Sequence, residues 1–388
     1  MALIIEAKGA DFVNKGGELM LLALINQLDA SGLSYKLVIE PNRAARYESI
    51  AAIGAHLKLP FRIKGIDLSR LAYLIPKSFR AYLQQNYGVF LEPDIGAILD
   101  ISGFAYGAQW PSRALRYLCR EIKRLSQDGR KVILLPQAFG PFDNRKDIEL
   151  VKRYFPVADL VYPRDKTSYD CVTKLCGERR SIAQKPDFTN LITVSDENYE
   201  SIKLPESAFI IIPNYNMLAE HSTETKWHAR YLDTIVTVAN LAKQESMVPI
   251  LLNHEGEKDQ LICEQIRDAL KFNIDILNFD SALEIKAAIS QAQALFCSRF
   301  HGCVSALSQG KACLGTSWSH KYEELYAEYG VSEFLLKPDY SKEELHTLIA
   351  SVSNGETGEK LRLRSKAIRN TSRAMWDQVI SELKRLDC

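Results

Sequence analysis

The chain has 388 residues, more than the roughly 250 to 300 at which a single hydrophobic core stops growing, so we expect two domains. Its 46% hydrophobic and 25% charged residues are typical of a globular protein. The 49 basic and 48 acidic residues leave a formal net charge of +1, which argues against binding nucleic acid or membranes through overall charge.

Short β-branched runs alternate with longer amphipathic segments in the first half of the chain. The strand candidates are residues 3–7, 35–41, 96–102, 131–137 and 159–165, and helical patterns cover 16–32, 113–129 and 145–158. Near-continuous apolar strands separated by helices predict a parallel sheet covered on both faces.

A polar stretch without helical periodicity interrupts this alternation, and we predict an inter-domain linker over 191–207. The alternation then resumes with strand candidates at 208–214, 247–253, 274–279, 294–298, 312–317 and 333–338. The sequence therefore predicts an α/β fold with two Rossmann-like, doubly wound domains that face a cleft, a GT-B-like arrangement. The domains would cover 1–190 and 208–355, and helices over 356–388 could cross back over the cleft.

The eight cysteines lie mostly in apolar segments, without a CxxC pair or zinc-like spacing, which indicates free buried thiols in a reducing cytoplasm. The first residues read as a strand and not as a signal peptide. The sequence contains no run of the roughly 18 apolar residues that a membrane span requires. We expect a cytoplasmic protein that meets any lipid-linked substrate from the water side.

The loop after the first strand is a candidate anion site, because ligands of open α/β sheets collect outside the carboxyl ends of the strands. Gly16 and Gly17 begin the next helix, where backbone amides and the helix dipole can hold an anion. Asn14 could bind substrate there or simply cap the helix.

Further candidates follow the third and fourth strands. Ser102 and Gly103 allow a close turn, and Tyr106 and Trp110 offer either a stacking surface for a sugar or an aromatic loop packed on its own domain. Gln137 is the first polar residue at the end of the fourth strand. We assign Ser102, Gly103 and Gln137 to substrate binding.

Arg164 ends the fifth strand and would face the crevice. The alternative is a structural ion pair between Arg164 and the adjacent Asp165. Both interpretations stay open at this stage.

In the second domain, polar residues again follow strands. His254 stands where a nucleotide or sugar hydroxyl could be bound, or is a surface histidine beside a helix cap. Arg299 and His301 lie at the start of the helix after the fourth strand of this domain, and His320 and Lys321 begin the next helix.

Cations at these strand ends can converge on one cleft. Arg164, Arg299 and Lys321 are permanently charged, and His301 titrates near neutral pH. This set suits a small, doubly anionic molecule that carries phosphate and carboxylate.

The chain resembles the polysaccharide pyruvyl transferase family over nearly its whole length. The resemblance rests, in order, on "NKGGEL", "SGF", "PQAFGP", "PRDKTS", "PDFTNLI", "NHEGEKD", "SRFHGCVSALSQG" and "SHKYEEL". It implies transfer of the enolpyruvyl unit of phosphoenolpyruvate to a sugar, which forms a pyruvate ketal. It also implies that His301, Arg164 and Lys321 are the catalytic residues and that Arg299 is an added anion contact.

The resemblance implies phosphoenolpyruvate as donor and no cofactor. No step of this transfer requires a metal, and the sequence shows no cluster of metal ligands. The acceptor would be a sugar, a nucleotide sugar or a lipid-linked saccharide, with peripheral contact to a membrane glycolipid as one possibility. Departures such as "NKGGE", "SGF" and "PQAFGP" fall in the first domain, the predicted acceptor side, so the acceptor stays open. Two alternatives are a GT-B glycosyltransferase that uses a nucleotide sugar and a non-catalytic carbohydrate-binding or assembly protein.

Overall fold

A computed structural model describes residues 2–63, 66–218, 225–353 and 356–386. The chain divides into two compact units. Unit 1 comprises Met1–Phe188 and Ser372–Cys388, and unit 2 comprises Thr189–Thr371.

Unit 1 is built on a parallel sheet of seven strands in the order β6-β3-β2-β1-β7-β8-β9. Its strands are β1 (Leu3–Lys8), β2 (Tyr35–Ile39), β3 (His56–Lys58), β6 (Val89–Phe90), β7 (Ala97–Asp100), β8 (Lys131–Gln137) and β9 (Leu160–Pro163); β4 (Arg62–Ile63) and β5 (Ile66–Asp67) form a separate antiparallel pair. The β7 strand is buried along its whole length, as expected for a parallel sheet covered on both faces.

Among the described residues up to Phe188, six α-helices accompany the strands of unit 1. They are α1 (Lys15–Ala30), α2 (Tyr47–Ala52), α3 (Lys77–Tyr87), α4 (Arg113–Gln127), α5 (Arg145–Tyr154) and α6 (Lys166–Cys176). In α4, Leu115, Leu118, Ile122 and Leu125 recur every three or four residues and are buried, so this apolar stripe packs into the core.

Unit 2 is a smaller version of the same design, with five parallel strands in the order β12-β11-β10-β13-β14. The strands are β10 (Ala208–Ile212), β11 (Val248–Asn253), β12 (Ile276–Asn278), β13 (Ala294–Cys297) and β14 (Ala312–Gly315). The helices are α7 (Asp196–Glu200), α8 (Tyr231–Gln244), α9 (Gly256–Ala269), α10 (Ala282–Gln291), α11 (Phe300–Ser308), α12 (Lys321–Tyr329) and α13 (Lys342–Ser353). The last helix, α14 (Glu356–Lys384), begins in unit 2 and ends in unit 1.

Each of the two parallel sheets has a topological switch point, where the order of the strands reverses direction. In unit 1 the chain builds outward from β1 through β2 and then returns to β7 on the other side of β1. In unit 2 it builds outward from β10 and returns to β13. The loops after β1 and β7, and those after β10 and β13, therefore border the crevices in which open α/β sheets bind ligands.

The segment 191–207, predicted to be a linker, belongs to unit 2 in this structure. It contains α7, and its Ile202 side chain is buried in the core of unit 2. The change of unit occurs instead between Phe188 and Thr189. Burial of apolar side chains in an otherwise polar stretch explains the difference.

Residues 333–338, predicted to be a strand, do not form one. A 3₁₀ turn covers Ser332–Phe334, and a single bridge joins Leu335 to Gly315. The Leu336 amide donates to the Gly315 carbonyl at 2.8 Å, but Pro338 has no amide with which to extend the ladder.

The C-terminal region forms one helix, α14, rather than two. Its residues up to Thr371 belong to unit 2, and those from Ser372 onward belong to unit 1. Within the described residues, no helix has the length and apolar character needed to cross a membrane.

Candidate active site

The switch point of unit 2 is held by hydrogen bonds that converge on Ser298, the residue after β13. Its carbonyl accepts from the Asn214 side-chain amide at 2.8 Å and from the Tyr322 hydroxyl at 2.9 Å. Its hydroxyl accepts from Thr316 Oγ1 at 2.7 Å. These bonds fix the backbone immediately before Arg299.

Arg299 is buried and bound to two carboxylates. Its Nε and Nη2 donate to Asp259 at 2.7 and 2.5 Å, and its Nη1 contacts Glu255. Burial lowers the pKa of Arg299 to about 10 and raises that of Asp259 to about 7. Their short salt bridge offsets part of the cost of burying the two charges. Arg299 thus anchors the loop that carries His301. Binding of an anion by Arg299 remains a prediction.

His301 lies in the first turn of α11 and is half-buried. Its ring meets the Phe300 ring edge-on, with centroids 5.3 Å apart. The Arg299 side chain points to Asp259 and Glu255 instead of capping this helix. The positive end of the α11 dipole therefore lies beside the imidazole, which favours an anion there.

Lys321 is the first residue of α12 and is buried among aromatic rings. Its Nζ lies 4.5 Å from the centroid of Trp318, 5.2 Å from that of Phe300 and 5.7 Å from that of Tyr322. Aromatic faces attract an ammonium without neutralising its charge. The Phe300 ring is a neighbour of both predicted residues, since its centroid lies 5.3 Å from that of the His301 ring and 5.2 Å from Lys321 Nζ.

The two other histidines predicted for substrate binding in unit 2 are His254 and His320. His254 is buried just after β11, at 4% exposure, and is therefore not a surface histidine. The helix after it, α9, supplies Asp259, which binds the Tyr215 amide at 3.0 Å as well as Arg299. His320 precedes α12 and lines a cavity of about 700 Å³.

In unit 1, a side chain of the loop after β1 accepts hydrogen bonds from the backbone amides at the start of α1. Asn14 Oδ1 accepts from the Gly16 and Gly17 amides at 2.9 and 3.1 Å. Asp11 in turn accepts from the Asn14 amide at 2.8 Å. The capping alternative is confirmed, and the two amides predicted to hold an anion are bound by Asn14.

The loop after β7 is organised by Asp100. Its carboxylate accepts from the Tyr106 hydroxyl at 2.6 Å and from the Ser102 amide at 2.9 Å. Tyr106 is 2% exposed, and its ring stacks on Phe139, so it offers no surface to a sugar. Ser102 lies against Gly9, where a Cβ would come within 2.2 Å of the Ser102 hydroxyl.

The other residues predicted in this loop differ in exposure. Trp110 is 38% exposed and can still stack on a ligand. Gly103 adopts a positive φ of 70°, which accounts for glycine at this turn. Gln137 is fully buried, and its Oε1 has no hydrogen-bond partner among the described residues.

Arg164 is in an ion pair, but not with Asp165. Its Nη1 donates to Asp187 Oδ2 at 2.8 Å, and both side chains are buried. Asp165 instead caps α6 by accepting from the Ser168 amide at 2.7 Å. Asp187 belongs to the segment "PDFTNLI", and nothing in the sequence pattern indicates that it pairs with Arg164.

A buried charged cluster in unit 1 is a second feature that the sequence did not reveal. Lys58 Nζ bridges Glu6 and Glu121 at 2.6 and 3.1 Å, and Lys8 binds Glu121 at 2.7 Å. Arg62 joins Glu121 from the other side. Burial opposes the charge on Glu121, but Lys58, Lys8 and Arg62 hold its pKa well below the usual range.

Glu6, Glu40 and Glu121 lie close enough to share a metal ion. Lys58 and Arg62 bind these three carboxylates directly and therefore supply the positive charge that a metal ion would otherwise supply. The cluster is therefore a charge-balanced part of the core.

A family model for polysaccharide pyruvyl transferase matches residues 14–320. The chain belongs to the polysaccharide pyruvyl transferase family. The matched range begins at Asn14 and ends at His320, one residue before Lys321. It therefore includes Arg164, Arg299 and His301. A transferase of polysaccharide biosynthesis is the activity that this family indicates.

Solved structures show which fold this pyruvyl transferase family member has. The UDP-GlcNAc 2-epimerase of Methanocaldococcus jannaschii is 10% identical, with a TM-score of 0.56, over 92% of this chain and 98% of that chain. The MurG of Acinetobacter baumannii is 12% identical, with a TM-score of 0.52, over 97% of this chain and 98% of that chain. These GT-B-like neighbours confirm the predicted fold class. No curated protein matches the chain.

The structure places the predicted catalytic residues in different units. Arg164 is in unit 1, and His301 and Lys321 are in unit 2. Their convergence on one cleft stays a prediction. The aromatic side chains around Lys321 were missed, although "SRFHG" and "SWSHKY" contain all three of them.

Proposed function

We propose that this protein transfers the enolpyruvyl unit of phosphoenolpyruvate to a saccharide and forms a pyruvate ketal. The observation that carries the proposal is that His301 and Lys321, at the starts of α11 and α12, both lie against the Phe300 ring. A titratable imidazole and a permanent cation beside a helix N-terminus suit an anionic donor that must be protonated.

The proposed reaction begins when protonated His301 gives its proton to the methylene carbon of phosphoenolpyruvate. An oxocarbenium-like centre forms at C2, and one sugar hydroxyl adds there while its proton returns to His301. Phosphate leaves as the second hydroxyl of the same sugar adds to C2, and the proton of that hydroxyl passes to the phosphate. The products are one ketal and one inorganic phosphate.

Lys321 is proposed to bind the carboxylate or the phosphate of the donor. Its aromatic surroundings keep water away from the ammonium, which strengthens its attraction to an anion. Arg164 is proposed as a further donor contact. Because it is bound to Asp187 at 2.8 Å, it could offer only its remaining donors to the substrate.

Thermal stabilisation by phosphoenolpyruvate tests the donor. A ligand at 100 times its dissociation constant adds about 2.7 kcal/mol to the free energy of unfolding. We expect the melting midpoint of the wild type to rise and the rise to disappear in Lys321→Met. Lys342→Met is the matched control, since Lys342 is an exposed first residue of a helix, α13.

The same measurement with a nucleotide sugar tests the glycosyltransferase alternative. UDP-N-acetylglucosamine should leave the melting midpoint unchanged. Stabilisation by this compound and not by phosphoenolpyruvate would replace the proposal with a GT-B glycosyltransferase. Stabilisation by saccharides alone would favour a non-catalytic carbohydrate-binding protein.

A further inference from the structure

Exposed apolar side chains are concentrated in the segment of unit 1 that connects β3 to β6. A large share of the big hydrophobic side chains that are exposed among the described residues lies between positions 59 and 87. The most exposed of them are Ile66, Leu74, Phe79 and Tyr87. Single exposed apolar residues are common on protein surfaces, but a continuous group of them marks a site of contact with another molecule or a membrane.

Helix α3 carries a continuous part of this group and buries none of its residues fully. The Phe79 and Tyr82 rings stack with their centroids 6.2 Å apart, and the Tyr82 and Tyr87 rings meet edge-on at 5.9 Å. The three side chains are 52%, 49% and 61% exposed. We call these three rings the aromatic surface. A helix that packs into a core buries an apolar stripe, so packing within unit 1 does not explain the aromatic surface.

Polar contacts fix this segment to the rest of unit 1. Arg80 of α3 forms an ion pair with Asp94. The Tyr73 hydroxyl, in the 3₁₀ turn that precedes α3, donates to Glu92 at 3.2 Å. Leu74 of the same turn is 78% exposed. These contacts hold the segment in place while its apolar side chains stay exposed to solvent.

The exposed charge of this segment is positive. Residues 68–91 include three basic residues and no acidic one, a local excess that the overall charge of +1 does not reveal. Arg70 and Lys77 of this range are exposed. The carboxylate that precedes the range, Asp67, accepts from Arg124 at 3.0 Å and is thereby balanced by a cation of its own.

Helix α4 extends the positive surface. Arg113, Arg116 and Arg120 are exposed and three or four residues apart, so they lie along one side of the helix. The only acidic residue of α4 is Glu121, which is buried. Arg120 lies 3.9 Å from Asp67. At Arg120 this row of cations therefore meets the segment that carries the aromatic surface.

We propose that the aromatic surface and the cations around it dock this protein on a bilayer that contains anionic lipids. Aromatic side chains enter the headgroup region of a bilayer, where a tyrosine ring is in apolar surroundings and its hydroxyl is in water. Lysine and arginine beside such a surface attract anionic headgroups. The inference does not depend on the donor or the acceptor of the proposed reaction.

A second copy of the chain suits the aromatic surface less well than a bilayer does. A two-fold dimer would place the same surface of each copy against the other. Arg70 and Lys77 would then face the cations of the partner copy, because residues 68–91 offer no carboxylate to pair with them. An anionic bilayer supplies the negative charge that a second copy lacks.

Co-sedimentation with vesicles tests the aromatic surface. The wild type should bind vesicles of equal parts phosphatidylglycerol and phosphatidylcholine, and should bind pure phosphatidylcholine vesicles more weakly. Phe79→Ser/Tyr82→Ser should lower the partition coefficient on the anionic vesicles about tenfold or more, because two rings no longer leave water. Leu261→Ser/Leu363→Ser is the matched control, at exposed positions of α9 and α14, and should bind as the wild type does.

A second double variant tests the cations. Arg70→Gln/Lys77→Gln should lower the partition coefficient on the anionic vesicles about tenfold or more, and high salt should weaken binding of the wild type. Arg145→Gln/Lys146→Gln, at exposed positions in the first turn of α5, is the matched control. A wild type that does not bind the anionic vesicles, or full binding by both test variants, overturns the proposal.

Sedimentation velocity without lipid tests the second copy as the alternative occupant. All the substituted residues are exposed, so each variant should keep the melting midpoint of the wild type. A wild type that is monomeric, or whose oligomeric state the Phe79→Ser/Tyr82→Ser variant shares, supports a surface that is left for the bilayer. A dimer that this variant dissociates would assign the aromatic surface to subunit contact and overturn the proposal.

Discussion

The two units share one topology but use the carboxyl ends of their strands differently. In unit 1, Arg164 at the end of β9 is bound by the buried carboxylate of Asp187. In unit 2, Lys321 after β14 lies among aromatic rings and shares Phe300 with His301. A buried cation paired with a carboxylate is first a structural element, whereas aromatic faces attract an ammonium without supplying a counter-charge. This difference is the reason for proposing that the chemistry takes place chiefly in unit 2.

The largest expected effect comes from His301→Ala. Loss of a general acid and base should lower kcat/KM by about 10² to 10⁴. The measurement is phosphate release from phosphoenolpyruvate in the presence of a saccharide acceptor. His346→Ala, at an exposed position of α13, should retain activity. Near-normal turnover by His301→Ala would shift the acid and base role away from unit 2.

The Arg164 and Asp187 pair provides the corresponding test in unit 1. Removing one partner of a buried pair leaves an uncompensated charge, so Asp187→Asn should lower the free energy of unfolding by about 3 to 5 kcal/mol. The exposed pair of Lys166 and Asp170, 2.8 Å apart in α6, is the control, and Asp170→Asn should cost less than about 1 kcal/mol. Denaturant unfolding measures both.

Arg164→Met then distinguishes structure from catalysis. We expect a loss of stability similar to that of Asp187→Asn. If Arg164→Met instead keeps full stability and loses stabilisation by phosphoenolpyruvate, the guanidinium belongs to the donor site, and the contrast between the units fails.

The long apolar strands were predictable from sequence because their periodicity is a local property. The predicted strand at 131–137 agrees with β8, and that at 208–214 contains β10. The short strands β3 and β6, of three and two residues, were missed because they have too few residues to show a pattern. They owe their conformation to pairing with β2 and with each other.

The candidate site was predictable in part. Polar residues after strands identified His301 and Lys321, which follow the adjacent strands β13 and β14. The partner of Arg164 was not predictable, because Asp187 lies 23 residues further along the chain and only the fold brings it within 2.8 Å. The same applies to the side chains that surround Lys58, which come from β1 and α4.

The buried cluster around Glu121 gives a pH prediction for unit 1. Three cations hold the pKa of Glu121 well below its ordinary value of 4.5, so the unfolded chain takes up this proton first as the pH falls. Stability from Glu121 is therefore present above pH 4.5 and is lost below it. Burial raises the pKa of Glu6, so the contribution of Glu6 to stability increases as the pH falls. Glu121→Gln isolates the Glu121 contribution.

Unfolding free energies measured between about pH 6 and pH 3 should show a flatter dependence in Glu121→Gln than in the wild type, by at most about 1.4 kcal/mol per pH unit. Equal slopes would mean that the three cations do not stabilise the charged form of Glu121. The buried charges of unit 1 would then no longer be evidence for a structural role that differs from the role proposed for unit 2.

The smallest effect concerns Asn14, where capping and anion binding predict different results. Asn14→Ala should lower the free energy of unfolding by about 1 kcal/mol, because the Gly16 and Gly17 amides lose their acceptor. Asn144→Ala, at the exposed N-cap of α5, is the matched control and should cost a similar amount. Phosphoenolpyruvate should stabilise both variants as it does the wild type, since a cap is a local element. If Asn14→Ala alone loses this stabilisation, the helix start in unit 1 takes part in donor binding, and the two units share the chemistry after all.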